Sequence, residues 1–290
     1  MFIDIHAHAY RAECPPADGH TQFATPEQVL RRYDELGIER GVLLPLIGPE
    51  TYLPQSNEDI LDMCARAGGR FIPFCNIDPR GMSNDANAPL DRWLRHYRQR
   101  GCKGLGEVMP NLPFTDPRCW NLFKHAETVG LPLIFDISDR IGGDYGFFDE
   151  PGLPLLERTL KQFPTLIILG HGPAFWAEMG TLEKPEDRAG YPRYPVHEEG
   201  AVPKLFRACP NLHGDLSAGS GFNALARDPG HAVRFLNEFQ DRLYFGTDIC
   251  SAAQSLPLAQ FLLNLRDEGK LRAETFEKIA RGNAARLLGL

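Results

Sequence analysis

The sequence predicts an α/β fold, a (β/α)8 TIM barrel forming a single domain over residues 1–290. Three observations point there. Short β-branched runs alternate with longer helical stretches about eight times, which implies a parallel sheet with crossover helices. The helical stretches carry recognisable start and stop signals. The first strand is followed by His6-Ala7-His8, where an open doubly wound sheet would want a G-x-G-x-x-G turn.

The strand candidates, in order, are Phe2–His8, Gly41–Leu46, Phe71–Ile77, Lys103–Val108, Leu131–Ile137, Leu166–Gly170, Asn211–Leu216 and Leu243–Asp248. Helices are predicted over Pro26–Leu36, Glu58–Ala67, Asp91–Arg100, Pro117–Val129 and Leu153–Phe163. Thr25 places a capping hydroxyl before Pro26, and Asp116-Pro117 repeats the device; proline suits the first helical position because its missing N–H has no partner there. Gly37, Gly68, Gly101 and Gly130 follow as stops, since glycine accepts the left-handed C-cap. The longest irregular segment runs from Gly172 to about Val196, after the sixth strand. In a barrel it lies over the C-terminal face, either as a lid or as a surface excursion.

Composition narrows the function. Lys and Arg number 31 against 38 Asp and Glu, for a net charge of −7, and no Lys/Arg-rich run occurs. Nucleic acid is therefore not an expected partner, because phosphate recognition needs a basic surface. No stretch reaches the ~18–20 apolar residues that span a bilayer, so no membrane is expected. The N-terminal MFIDIHAHAY lacks the features of a secretory signal. Seven cysteines (Cys14, Cys64, Cys75, Cys102, Cys119, Cys209 and Cys250) are scattered without a C-x-x-C pair, a pattern of buried thiols in a reducing compartment. A cytoplasmic location is expected.

Strand side chains alternate faces, so Phe2, Asp4, His6 and His8 are expected on one face and Ile3, Ile5 and Ala7 on the other. Three further strand ends stop at a glycine-flanked ligand type: Glu107, His171 and Asp248. Each alone reads equally as a hydrogen-bonded rim residue. Together at one barrel mouth they are costly to bury without a cation, and a metal site is the expectation.

His6-Ala7-His8, His171 after strand 6 and Asp248 in Phe-Gly-Thr-Asp resemble the amidohydrolase superfamily. The nearest branch is the amidohydrolase-related group that includes aminocarboxymuconate semialdehyde decarboxylase. The Leu-Gly-His-Gly-Pro-Ala-Phe-Trp and Gly-Asp-Leu-Ser-Ala-Gly-Ser-Gly stretches add to the likeness, and the terminal Gly-Asn-Ala-Ala-Arg-Leu-Leu-Gly-Leu is similar to that group's closing helix. The resemblance implies His6 and His8 as metal ligands and Asp248 as a ligand that also handles protons. It implies that His171 binds a second metal or acts on the substrate, and that Glu107 is the fourth-strand carboxylate in preference to Lys103.

One position departs from the pattern. The fifth strand is expected to end in histidine and carries Asp136. Carboxylate oxygen suits zinc and harder cations alike, so Asp136 is read as a ligand of a remodelled site or as the mark of a weakened one. The implied cofactor is one or two divalent ions, zinc first, with manganese or magnesium as alternatives.

The leading expectation is a metal-dependent hydrolase acting on an amide, ester or lactone of a small molecule. The alternatives are a metal-dependent non-oxidative decarboxylase of an unsaturated or aromatic acid, and a non-catalytic relative. Arg80 and Arg140 fall in barrel loops where a guanidinium suits a substrate carboxylate; solvent exposure is the plain alternative. Asp215 and Ser217 are read as substrate contacts or as supports of the ligands, and Phe175 and Trp176 as pocket walls or packing. The remaining histidines (His20, His96, His125, His197, His213 and His231) are assigned no role. A homo-oligomer is compatible with the sequence.

Overall fold

The computed structural model describes residues 1–13, 16–17, 20–21, 23–51 and 53–290. Cys14 and the side chain of His20 lie outside the described residues. Eight parallel strands form the wall: β1 (Phe2–Ala7), β2 (Ile38–Leu43), β3 (Phe71–Pro73), β4 (Leu105–Val108), β5 (Leu133–Phe135), β6 (Ile168–Gly170), β7 (Leu212–Asp215) and β8 (Leu243–Tyr244). They fall into two hydrogen-bonded groups, β1-β2-β3 and β8-β7-β6-β5-β4.

Backbone hydrogen bonds join the groups at both seams. Cys75 N donates to Gly104 O (3.0 Å) and Gly106 N to Cys75 O (2.8 Å). On the other side Ile5 N donates to Phe245 O (3.0 Å) and Asp248 N to His6 O (2.8 Å). Bridges Cys75–Leu105 and Ala7–Ile249 mark the same two seams. The order therefore runs in sequence around a ring, and strand 8 returns to strand 1.

Each expected strand is present; all but the second, which is shifted, are shortened. The second lies at Ile38–Leu43 and not Gly41–Leu46, because Pro45 has no N–H to continue the ladder. The third stops at Pro73; beyond it Asn76 N turns to the Asn57 side chain (2.7 Å).

The helices start where the caps predict. In α1 (Pro26–Leu36) Thr25 Oγ1 accepts from Gln28 N and Gln28 Oε1 accepts from Thr25 N, a reciprocal cap. Gly37 closes that helix at φ 68°, a conformation that costs glycine nothing. In α4 (Pro117–Val129) Asp116 accepts from Arg118 N (2.9 Å). The other three predicted helices form at Asn57–Arg66 (α2), Asp91–Gln99 (α3) and Pro154–Gln162 (α5).

Two apolar layers result. The larger fills the space between wall and helices and includes Phe2, Leu105, Phe135, Ile168 and Leu212. The smaller is the barrel interior, drawn from Ile3, Ile5, Val42, Ile72, Ile134 and Leu169, and floored by Ala284 and Leu288 of the helix Asn283–Leu288.

This division corrects one expectation about β1. Phe2 belongs to the outer layer and Asp4 accepts from the Tyr33 hydroxyl of α1 (2.8 Å), while Ile3 and Ile5 point inward. The β1–β2 register slips between Asp4 and Ala7, and the freed His6 N–H donates to Asp4 Oδ1 (3.0 Å). Such an irregularity re-aims the side chains beyond it. His6 and His8 thereby reach the barrel mouth although simple alternation from Ile3 and Ile5 would turn them outward.

The segment after β6 is built into the body, not laid loosely over it. It contains short helical turns at Pro173–Trp176, Ala177–Met179 and Pro185–Ala189. Phe175, Trp176 and Met179 are fully buried. Arg188 donates to Glu178 Oε1 (2.6 Å) and Asp149 O (2.8 Å), pinning the segment to the loop after β5. No helix among the described residues is long and apolar enough to cross a membrane.

Candidate metal centre and active site

The C-terminal ends of β1, β4, β5, β6 and β8 deliver one cluster. His6 Nε2 and His8 Nε2 are 2.9 Å apart. Glu107 Oε2 lies 3.5 Å from His6 Nε2 and 3.4 Å from His8 Nε2. Asp248 Oδ1 stands at the same two distances, 3.5 and 3.4 Å. The β4–β5 register slips between Leu105 and Val108, and Glu107 between them reaches the mouth; Lys103 stays exposed at the far end. Asp248 sits at φ 51°, a left-handed conformation uncommon outside glycine that aspartate tolerates better than most residues.

The other nitrogens of the two imidazoles are committed. His6 Nδ1–H donates to Asp215 Oδ2 (2.6 Å) and His8 Nδ1–H to the Leu44 carbonyl (3.0 Å). A carbonyl can only accept, so Nδ1 carries the proton of His8, and the carboxylate favours the same tautomer in His6. In the neutral rings both Nε2 lone pairs then face one another at 2.9 Å. That approach is repulsive unless a proton or a cation lies between them.

The donor set fits a divalent ion. Bonds of about 2.0–2.2 Å at tetrahedral angles place donors about 3.3–3.6 Å apart, and the four carboxylate–imidazole distances fall in that range. Among the described residues the ligand-type groups all fall here: His6, His8 and Asp248 in one, Glu107, Asp136 and His171 in another, and His6, His171 and Asp215 behind them. Glu107 adjoins the first two.

Electrostatics say the same in the language of protons. Burial pushes the Glu107 carboxyl up, but the charge of His6 and hydrogen bonds from His6 and His8 hold it well below its ordinary value. Burial depresses His6, and Asp215, Asp248 and Glu107 override it, raising the ring well above 6.5. Asp136 is raised well above 3.8 by burial and by the Glu107 charge. A site that raises its bases and one of its acids is short of positive charge.

His171 is held from behind. Its Nδ1 lies 3.1 Å from Ser217 Oγ and 3.2 Å from Asp215 Oδ2. Its Nε2 faces Asp136 (3.8 Å), Glu107 (4.0 Å) and Asp248 (4.0 Å). Burial and the His6 charge oppose its protonation, yet Asp215 and Glu107 raise it to about 9.

Asp215 is fully buried and touches both His6 and His171; Ser217 N donates to its Oδ1 (3.0 Å). Of the two readings of Asp215, support of the histidines is the one the geometry displays. Arg80, the other candidate substrate contact, is already engaged. Its guanidinium is held by Glu50 and Asp78. Arg140 is an exposed loop residue near Asp139 and Asp144. Phe175 and Trp176 are packing residues, and Trp176 Nε1 donates to Asp215 O (2.9 Å). His213 faces the Tyr244 hydroxyl at 2.7 Å.

Above the cluster opens a cavity of about 250 Å³, walled by His8, Glu107, Asp136 and Asp248 together with Phe23, Leu46, Glu50, Thr51, Met109, Tyr145 and Cys250. Glu50, Tyr145 and Cys250 were not singled out by sequence. Their one signal is position, in loops that follow strands and hence at the barrel mouth. A larger cleft of about 490 Å³ lies elsewhere, beside Glu178 and Lys204, and coincides with none of the ligand-type groups.

Comparison with known proteins places the architecture. No curated protein matches the sequence. Solved structures are similar over nearly the whole chain. A 5-carboxyvanillate decarboxylase from Novosphingobium aromaticivorans, complexed with manganese and 4-hydroxy-3-methoxy-5-nitrobenzoic acid, is 16% identical, with 100% of this chain and 96% of that chain covered and a TM-score of 0.65. An amidohydrolase from Burkholderia multivorans with bound zinc is 14% identical, covering 100% and 99%, with a TM-score of 0.63. A 2,6-dihydroxybenzoate decarboxylase from Rhizobium is 17% identical, covering 99% and 98%, with a TM-score of 0.60. At these identities the likeness is one of fold, a TIM barrel. The family model described as "Amidohydrolase" matches residues 3–290, and the chain therefore belongs to the amidohydrolase family.

Proposed function

We propose that the protein is a metal-dependent hydrolase that cleaves an amide, ester or lactone bond of a small molecule with water. The observation that carries the reading is the facing pair of Nε2 lone pairs on His6 and His8, flanked by two carboxylates at ion-binding distance. His6, His8, Glu107 and Asp248 would hold the ion; where a second ion binds, Asp136, Glu107 and His171 would offer its donors. Zinc suits the mixed imidazole and carboxylate set, and manganese is the alternative. A divalent ion bound there would supply Lewis acidity and lower the pKa of water toward about 7.

The chain's own groups do the rest. Asp248 takes the proton of the attacking water and returns it to the leaving group. With a single ion bound, His171 donates from Nε2 to the substrate carbonyl as negative charge develops there, its ring fixed by Asp215 and Ser217. Asp215 also orients His6, as partners of ligating histidines do. Residues 1–290 are proposed to act as one domain in the cytoplasm.

Elemental analysis of the purified protein beside a His6→Ala/His8→Ala double variant tests the centre. Bound zinc or manganese that disappears in the variant is the expected result; protein that takes up neither ion after loading overturns it. A non-oxidative decarboxylase is the second reading, supported by the similarity in fold to two structures described as decarboxylases. Release of carbon dioxide from an aromatic acid, with no ester or lactone hydrolysis, would establish that reading instead.

A further inference from the structure

Arg80, one of the two arginines read as candidates for a substrate carboxylate, is occupied by the chain's own acids. Arg80 Nη1 and Nη2 donate to the two oxygens of Glu50, each at 2.7 Å. Arg80 Nε and Nη2 donate to the two oxygens of Asp78 at 2.8 and 2.6 Å. Four of the five N–H groups of a guanidinium are thereby used. Glu50, not Arg80, lines the cavity. Its Oε1 also accepts from Asn111 N (3.0 Å), whereas Oε2 takes the single bond from Arg80 and keeps a lone pair.

The rest of the wall adds no positive charge. Glu50, Glu107, Asp136 and Asp248 line the cavity, and no Lys or Arg does so among the described residues. One divalent ion offsets two of these four carboxylates and two ions offset all four. In neither case is there an excess of positive charge to receive an acid. Resting on the hydrolytic reading of the same site, we infer that the substrate carries a protonated amine, and that Glu50 receives it. Arg80 and Asn111 hold the carboxylate rigidly in place, so an ammonium group gains a charge-assisted hydrogen bond with little ordering cost. The modest volume, about 250 Å³, lies just below the ~300 Å³ at which common ligand pockets begin, which suits a compact substrate.

The test uses the zinc-loaded full chain and three phenyl acetates that differ only at the para position: aminomethyl, hydroxymethyl and carboxy. Hydrolysis gives kcat/KM for each, and calorimetry gives Kd for the matching acetanilides. The aminomethyl probe is expected to exceed the carboxy probe by about tenfold or more in both readouts, the size of a hydrogen bond to a charged group. In Glu50→Gln that ratio collapses toward one, while Glu50→Asp keeps its direction; zinc content and the melting curve show that each variant is folded and loaded. Equal treatment of the three probes, or preference for the carboxy probe, overturns the inference and leaves hydrolysis standing. Tight aminomethyl acetanilide binding that depends on Glu50, with no ester turned over, upholds the inference and removes the hydrolytic reading. Neither binding nor turnover of any probe removes both.

Discussion

Asp215 Oδ2 lies 2.6 Å from His6 Nδ1 and the same oxygen lies 3.2 Å from His171 Nδ1. One buried carboxylate thus sets the tautomer of a proposed ligand and the orientation of the histidine beside it. In Asp215→Asn the amide can still accept but brings no charge. Zinc affinity is expected to fall by about 10–100-fold, the usual effect of losing such a partner, with the barrel intact by circular dichroism. An unchanged affinity in a competitive chelator titration would show that the ring is fixed by other means.

Asp136 belongs to the second ligand-type group, not the first. Asp136→Asn is therefore expected to retain one tightly held zinc per chain and to lose only a second, weaker equivalent. Plasma mass spectrometry after dialysis reads the stoichiometry. Loss of the tight equivalent would move Asp136 into the primary set.

His213 carries a pH dependence that is separate from the proposed metal ligands. Burial, and then the charges of Arg242 and Arg286, lower its pKa from 6.5 to about 3. Between those values the unfolded chain binds a proton that the folded one refuses. Stability from this group is complete above pH 6.5 and is lost as pH falls toward 3. From pH 7 to pH 5 the loss is at most about 2 kcal/mol. A His213→Gln variant, which keeps a partner for Tyr244, should show a smaller drop in urea midpoint over that interval; an identical drop would assign the acid sensitivity elsewhere.

Arg188 and Glu178 form a buried pair at 2.6 Å that anchors the segment after β6. Removing one partner leaves the other charged and buried, which costs about 3–5 kcal/mol in such pairs. Arg188→Ala should lower the stability of the chain by that order and open residues 181–199 to limited proteolysis. Resistance equal to the parent would mean that Phe175, Trp176 and Met179 suffice to hold the segment.

Local signals made the wall and helix ends readable. Thr25-Pro26 and Gly37, or Asp116-Pro117 and Gly130, act within a few residues of the backbone they control, so spacing alone reveals them. The ligand types His6, His8, Glu107, His171 and Asp248 were legible for a related reason, since each ends a strand and strand ends meet at one mouth. Relationships that depend on closure were not legible. Glu50 and Arg80 come from different loops and pair through space, and no spacing in the sequence announces it. The slip in β1 also escaped alternation, because His6 and His8 are correctly paired with each other whether or not the lower strand is in phase.

The seam between β1 and β8 sets the order in which the site can come into being. Asp4 accepts from Thr247, 243 residues away, and Asp248 hangs from the His6 carbonyl. Contacts of such long sequence separation are slow to form. During synthesis the two histidines leave the ribosome first, and the carboxylate that completes their cradle follows only after seven strands have been made. Until Asp248 emerges, the proposed first site has three of its four donors, so tight capture there would belong to the finished ring and not to the growing one.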